Sequence, residues 1–170
     1  MKFIKLAIIS IVVLFVIITC IGLLLPSTVR VTRNITIHTS PDTLYRYISD
    51  MAYWKFWLAG VQDNTVQFTS AKKSGAGAVA MIGEQQVSIT KATNNMIETV
   101  WKNNSGKRIS VFQLASDTIA NETNLNWYFE QKVKWYPWER LSTLANDKIL
   151  GPFMENSLDK LKEVAENTNN

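Results

Sequence analysis

The sequence predicts an α+β fold: an antiparallel sheet of six or seven strands, one long C-terminal helix on its concave face, and one transmembrane helix in front. Three observations carry this. The chain opens on an apolar run with no charge from Leu6 to Leu25. Six short strand-like segments then follow one another, parted only by turn residues, and strands so close in sequence pair as antiparallel meanders. Last comes a single apolar stripe at helical spacing, Leu141 to Ala165, which needs a sheet face to cover it.

The opening run, "FIKLAIISIVVLFVIITCIGLLL", covers residues 3–25. At about 1.5 Å per residue, the part from Leu6 to Leu25 crosses a hydrocarbon layer of roughly 30 Å. A cleavable signal has an apolar region of about 7–15 residues and a small-residue cut site. Here the run is longer and ends in Pro26-Ser27-Thr28, so residues 1–28 read as an uncleaved anchor and joint. Lys2 and Lys5 face Arg30 and Arg33 across it, nearly balanced. The short basic start favours the N-terminus inside, which puts the domain outside the cytoplasm. Cys20 is the sole cysteine, so no intramolecular disulfide can form, and it reads as a small apolar residue of the anchor.

The domain, residues 29–166, begins with "VRVTRNITIH", where Val29, Val31, Ile35 and Ile37 alternate with polar residues. Arg33 falls on the apolar side. Ser40-Pro41 is an N-cap and first helical position, followed by Leu44, Tyr47 and Ile48 at helical spacing. "MAYWKFW" continues as a second short helix. The strands are "TVQFTS", "GAVAMIG", "QQVSITKAT", "MIETVWKN", "RISVFQLAS" and "TNLNWYFEQKVKW". The long helix runs from Leu141 to about Glu166, and residues 167–170 are a frayed tail. Gly151-Pro152 interrupts that helix and predicts a bend or a fresh start, either as a static kink that lets the helix follow the sheet's curvature or as a hinge on which Leu141–Leu150 tilts as a lid.

"VTRNITIHTSPDTLYRYISDMAYWKFW", "SGAGAVAMIG", "TNLNWYFE" and "LANDKILGPFMENSLDKLKEV" together resemble the SRPBCC superfamily, the START-like or polyketide cyclase/dehydrase-like proteins with the helix-grip fold. The resemblance covers about residues 29–166. Met81-Ile82 stands where the family's hairpin strand has an aromatic, and the segment between the paired tryptophans lacks the usual proline. The resemblance implies a curved sheet gripping the long helix, with a cavity between them for a small hydrophobic or lipid-like ligand. Its expected lining is Arg33, Tyr47, Trp54, Trp57, Trp101, Trp127, Phe129 and Leu144, with Trp135, Tyr136 and Trp138 at the rim.

Little in the sequence points to other chemistry. The net charge is +4, of which Lys2 and Lys5 supply two, and the basic doublets Lys72-Lys73 and Lys107-Arg108 sit in turn-like settings. A nucleic-acid surface needs a clustered basic face, so none is expected. His38 is the one histidine, at a strand end on the polar side, and with one membrane-embedded cysteine it builds no usual zinc site. Gly75-Ala76-Gly77-Ala78-Val79-Ala80 fits a dinucleotide fingerprint in letters, but a strand follows where a helix is required, so it reads as a hairpin turn. Glu98 and Glu130 alternate with apolar neighbours and face water. Arg33 is expected to pair with a neighbouring acid sooner than with a ligand carboxylate, since a buried guanidinium is costly alone. The expected function is membrane-anchored binding of an apolar ligand, without metal or cofactor. The alternatives are a cyclase- or hydrolase-type enzyme using the same cavity, or a ligand-free interaction module.

Overall fold

Alternation in the first strand decides which side of the sheet becomes the interior. The computed structural model describes residues 2–24, 26–62, 65–104, 106–117, 122–134, 136, 139 and 146–167. Strand β1, Thr28–Ile37, turns Val31 and Ile37 into the core, while Arg30, Thr32 and Asn34 stay in water. Helix α2 (Pro41–Ser49) starts where Ser40 Oγ accepts from the Thr43 N–H, with Pro41 in its first turn, and it buries Leu44, Tyr47 and Ile48. A 3₁₀ turn at Met51–Tyr53 and a short helix α3 (Trp54–Trp57) follow, started by the Asp50 carboxylate accepting from the Ala52 N–H at 2.9 Å.

Six strands come next: β2 (Val66–Phe68), β3 (Val79–Ile82), β4 (Gln85–Thr93), β5 (Met96–Asn103), β6 (Gly106–Asp117) and β7 (Glu122–Lys132). All pairings are antiparallel, in the order β1-β7-β6-β5-β4-β3-β2, so the first strand closes against the last. Gly83, at φ 58°, makes the β3–β4 turn, a conformation that side-chain-bearing residues rarely adopt. Between Ile89 and Lys91 the register shifts by a bulge. The segment 75–77 is a turn leading into β3, as expected, with no helix after it.

The C-terminal helix α4, Asn146–Asn167, crosses the concave face and buries Met154, Leu158, Leu161 and Ala165 against the sheet. This is the helix-grip architecture expected from the sequence. One expectation is corrected and another narrowed. β7 ends at Lys132 instead of reaching Trp135, and of the two outcomes expected at Gly151-Pro152 the fresh start is not seen, because α4 runs as one helix through the pair. Trp135, Trp138 and Leu144, with most of the strand-to-helix junction, lie outside the described residues.

Helix α1, Lys2–Leu24, stands apart from this core: Phe3 is 89% exposed, Leu6 72% and Leu24 87%. It is one apolar N-terminal helix, long enough to cross a membrane, and the fold leaves its side chains uncovered.

Candidate functional site

The sheet has two chemically different ends. The antiparallel register brings Thr28, Lys132, Lys107, Asn103, Gln85 and Ile82 to one end and Ile37, Thr123, Ser116 and Thr93 to the other. At the second end His38 closes the structure. Its ring lies 2.9 Å from Glu122 and 3.1 Å from Glu166, and its backbone N–H donates to Glu166 at 3.0 Å. That backbone hydrogen bond, helped by the ring and by Lys162, holds the Glu166 carboxyl below the usual carboxylate value. His38 is thus a strand-end tie between β1, β7 and α4, as a polar-side position implies.

The first end is open. A cavity of about 390 Å³ lies there between the sheet, the loop after α3 and the start of α4. Its walls are Leu58, Val61, Ile82, Trp101, Phe129, Ile149, Leu150 and Phe153, with Thr65, Gln85 and Arg108 as the polar side chains. Burial sets its depth: Leu58, Trp101 and Phe129 are 2%, 7% and 4% exposed and form the floor. Gly60, Gly83 and Ile149 are exposed and form the mouth. Trp101 is held by its indole N–H, which donates to Thr99 Oγ1 at 3.0 Å, and by stacking on Trp54 at 5.9 Å. Phe129 packs between Trp101 at 5.8 Å and Phe153 at 6.5 Å.

Of the residues expected to line a pocket, the structure therefore brings Trp101 and Phe129 into this wall. Trp54, Trp57 and Trp127 are 0% exposed and belong to the core beneath it. Their indole N–H groups are satisfied internally, by Ile48 O at 2.9 Å, Tyr47 O at 3.0 Å and Ser110 Oγ at 2.7 Å. Trp127 stacks on Phe112 at 4.9 Å, in the middle of the sheet. Tyr47 is buried against Tyr53, with ring centroids 5.1 Å apart. Tyr136 is half-buried, with the Lys134 ammonium 5.9 Å from its ring.

Arg33 is not in the cavity wall. It occupies the edge-strand end of the row Ile97, Phe112, Trp127, Arg33, from where it reaches round to α4. Its guanidinium sits 3.0 Å from Asp147 and 2.7 Å from Glu155, and donates to Thr32 O at 2.9 Å. The two hydrogen-bonded carboxylates, Glu155 first, raise its already high pKa. Asp147, Gly151 and Glu155 recur every fourth residue, so they share one helix face, and a Cβ on Gly151 would collide with the guanidinium. The glycine that looks like a helix breaker is the seat of this arginine, and the clamp spans the Gly-Pro step. Among the described residues of the expected lid, 147–150 are tied to β1 through the pair of Asp147 with Arg33. Glu98 and Glu130 face outward, towards Thr90 and Lys91 and towards Arg30.

The site residue that sequence reading missed is Arg108. It stands in a basic doublet beside a turn, yet the alternation Arg108, Ser110, Phe112, Leu114 puts it on the buried face. The last three are 0%, 0% and 7% exposed. Among the described residues the cavity wall has no carboxylate, histidine, lysine, cysteine or tyrosine. It offers shape, apolar surface and one guanidinium.

Residues 28–166 match the family model described as polyketide cyclase / dehydrase and lipid transport. A search of curated proteins found no match. Among solved structures, a norcoclaurine synthase point mutant from Thalictrum, in complex with a transition-state analogue, is similar with a TM-score of 0.64 at 12% identity, over 84% of this chain and 97% of that one. A protein from Nitrosospira multiformis has a TM-score of 0.63 at 10% identity, covering 81% and 96%. The Aha1 dimer from Colwellia psychrerythraea has 0.55 at 19%, covering 81% and 96%. At these identities the likeness is one of fold.

Proposed function

The chain belongs to the polyketide cyclase/dehydrase and lipid transport family, and from that premise we propose that it is a membrane-tethered binder of a small hydrophobic or lipid-like molecule. The observation that carries the reading is the cavity of about 390 Å³ floored by Leu58, Trp101 and Phe129. That volume lies near the lower end of small-molecule sites, roughly 300–1,000 Å³. Rings fixed by hydrogen bonds and stacking give apolar contact area at little entropic cost.

The membrane part rests on α1, most of whose large apolar side chains are at least half exposed. It also fits the placement of the cavity. Only four peptide links separate Leu24 from Thr28, a span of at most about 14 Å. Thr28 stands at the same end of the sheet as the cavity, so a bilayer holding α1 lies beside the cavity's end. Lys102, Lys107 and Lys132 are exposed at that end, and each lysine near an anionic lipid surface contributes about 1 kcal/mol.

Native mass spectrometry of the full chain, released from mild detergent, tests the reading. A retained small molecule, or saturable uptake of an added apolar probe with a change in tryptophan emission, is expected. A chain that arrives empty and takes up nothing from a broad apolar panel would overturn it.

A further inference from the structure

We propose that the cavity selects a single-chain amphiphile with an anionic head, and that Arg108 is the residue that meets that head. This deepens the binding reading above and rests on it.

The protein pairs its other two sheet arginines with acids. Arg30 holds Glu130 at 2.7 Å on the outer face, and Arg33 holds Asp147 and Glu155. Arg108 differs. Its Nε donates to Gln131 Oε1 at 3.0 Å, and that neutral amide is its one side-chain partner among the described residues. Among the described residues its two terminal nitrogens have no carboxylate partner. Glu130, the acid nearest in sequence to Gln131, points to the opposite face and is taken by Arg30.

Placement adds to this. Arg108 stands directly across the β5–β6 ladder from Trp101, one of the floor rings. Gln131 fixes the guanidinium from one side and leaves its other donors available. A guanidinium keeps its charge at any working pH and presents paired N–H donors that match a carboxylate or a phosphate. Apolar wall and fixed cation together describe an amphiphile: a chain against Trp101, Phe129 and Phe153, a head at Arg108. The cavity's modest volume favours one chain over two.

The test uses the full chain in phosphatidylcholine nanodiscs at mildly alkaline pH. It is titrated with decanoate, decyl phosphate, decanol and decyltrimethylammonium, read by tryptophan emission against empty nanodiscs. A charge-assisted pair in a partly dry site predicts that at least one anion binds about tenfold or more tightly than decanol. The cationic amphiphile should bind most weakly. Arg108→Gln should erase the preference for the anion while leaving decanol affinity intact, which also shows that the variant is folded. Arg108→Lys should keep part of it. Equal affinity for anion and alcohol in the parent protein, or a preference that survives Arg108→Gln, would overturn the assignment while leaving the binding reading in place. If none of the four amphiphiles binds, both fall.

Discussion

Replacing Gly151 with alanine separates two forces of known sign. In an ordinary helix interior the change stabilises by about 0.5–1 kcal/mol, because glycine loses more backbone entropy on folding. Here the new methyl enters the space of the Arg33 guanidinium, which must leave Asp147 and Glu155. The arginine can swing away, so the cost is that of the lost clamp and not of a rigid clash. Arg33 is 26% exposed, and its acids are 66% and 57% exposed, so solvent screens the pairs. Two such pairs, at about 0.2–1 kcal/mol each, and the hydrogen bond to Thr32 O, about 1 kcal/mol, sum to about 2 kcal/mol. Gly151→Ala should therefore destabilise by about 1 kcal/mol net, a fall of roughly 2–5 °C in a domain of this size. Thermal melts of the full chain in detergent, followed by near-ultraviolet circular dichroism, measure it. With Arg33→Ala already in place the same substitution should change sign and stabilise. A stabilising Gly151→Ala in the parent protein would refute the account of the clamp.

Trp127→Ala should unfold the domain before it reports on binding, since a fully buried indole stacked on Phe112 is removed; the loss expected is about 3–5 kcal/mol in urea titration. Glu166 has its folded-state pKa lowered below the usual carboxylate value, chiefly by the His38 backbone N–H. Its contribution is thus present above the ordinary carboxylate range and lost as pH falls through it. Glu166→Gln should flatten the acid limb of the melting-temperature profile, and an unchanged limb would count against the tie at His38. Protease added to intact cells or spheroplasts should digest residues 30–170 if the domain lies outside the cytoplasm; protection until the cells are lysed would place it inside.

The fold was legible because its signals are local. β4 and β5 begin and end at the residues their alternation and flanking asparagine and glycine turns indicate, and Ser40-Pro41 starts α2 as capping chemistry requires. Even Arg33 on the apolar face was readable, with its acid partners anticipated in kind though not by number. What was not legible depends on contacts between distant segments. Nothing local distinguishes Trp127, packed under α4, from Phe129, two residues on and in the cavity wall, because depth along a curved sheet is not written in alternation. Gly151 reads as a breaker until the arginine from β1 is seen against it. Arg108 was hidden by its neighbour Lys107: a basic doublet beside a turn looks solvated, although strict alternation sends one of the pair inward.

The backbone N–H of Val133 donates to Ser27 O at 2.8 Å. Hydrogen bonding between the first and last strands thus continues past β1 to Ser27, three peptide links from the end of α1 at Leu24. Pro26, within that short connection, contributes a fixed φ. With α1 in a bilayer, the domain is a bracket bolted to the surface and not a bucket on a rope. If the cavity binds as proposed, the domain so held would draw a molecule out of the leaflet next to it and shield that molecule from water. Tethered in that way it would have no reach with which to ferry cargo across an aqueous gap, and a transfer that ends in a second membrane would require the acceptor to come to it.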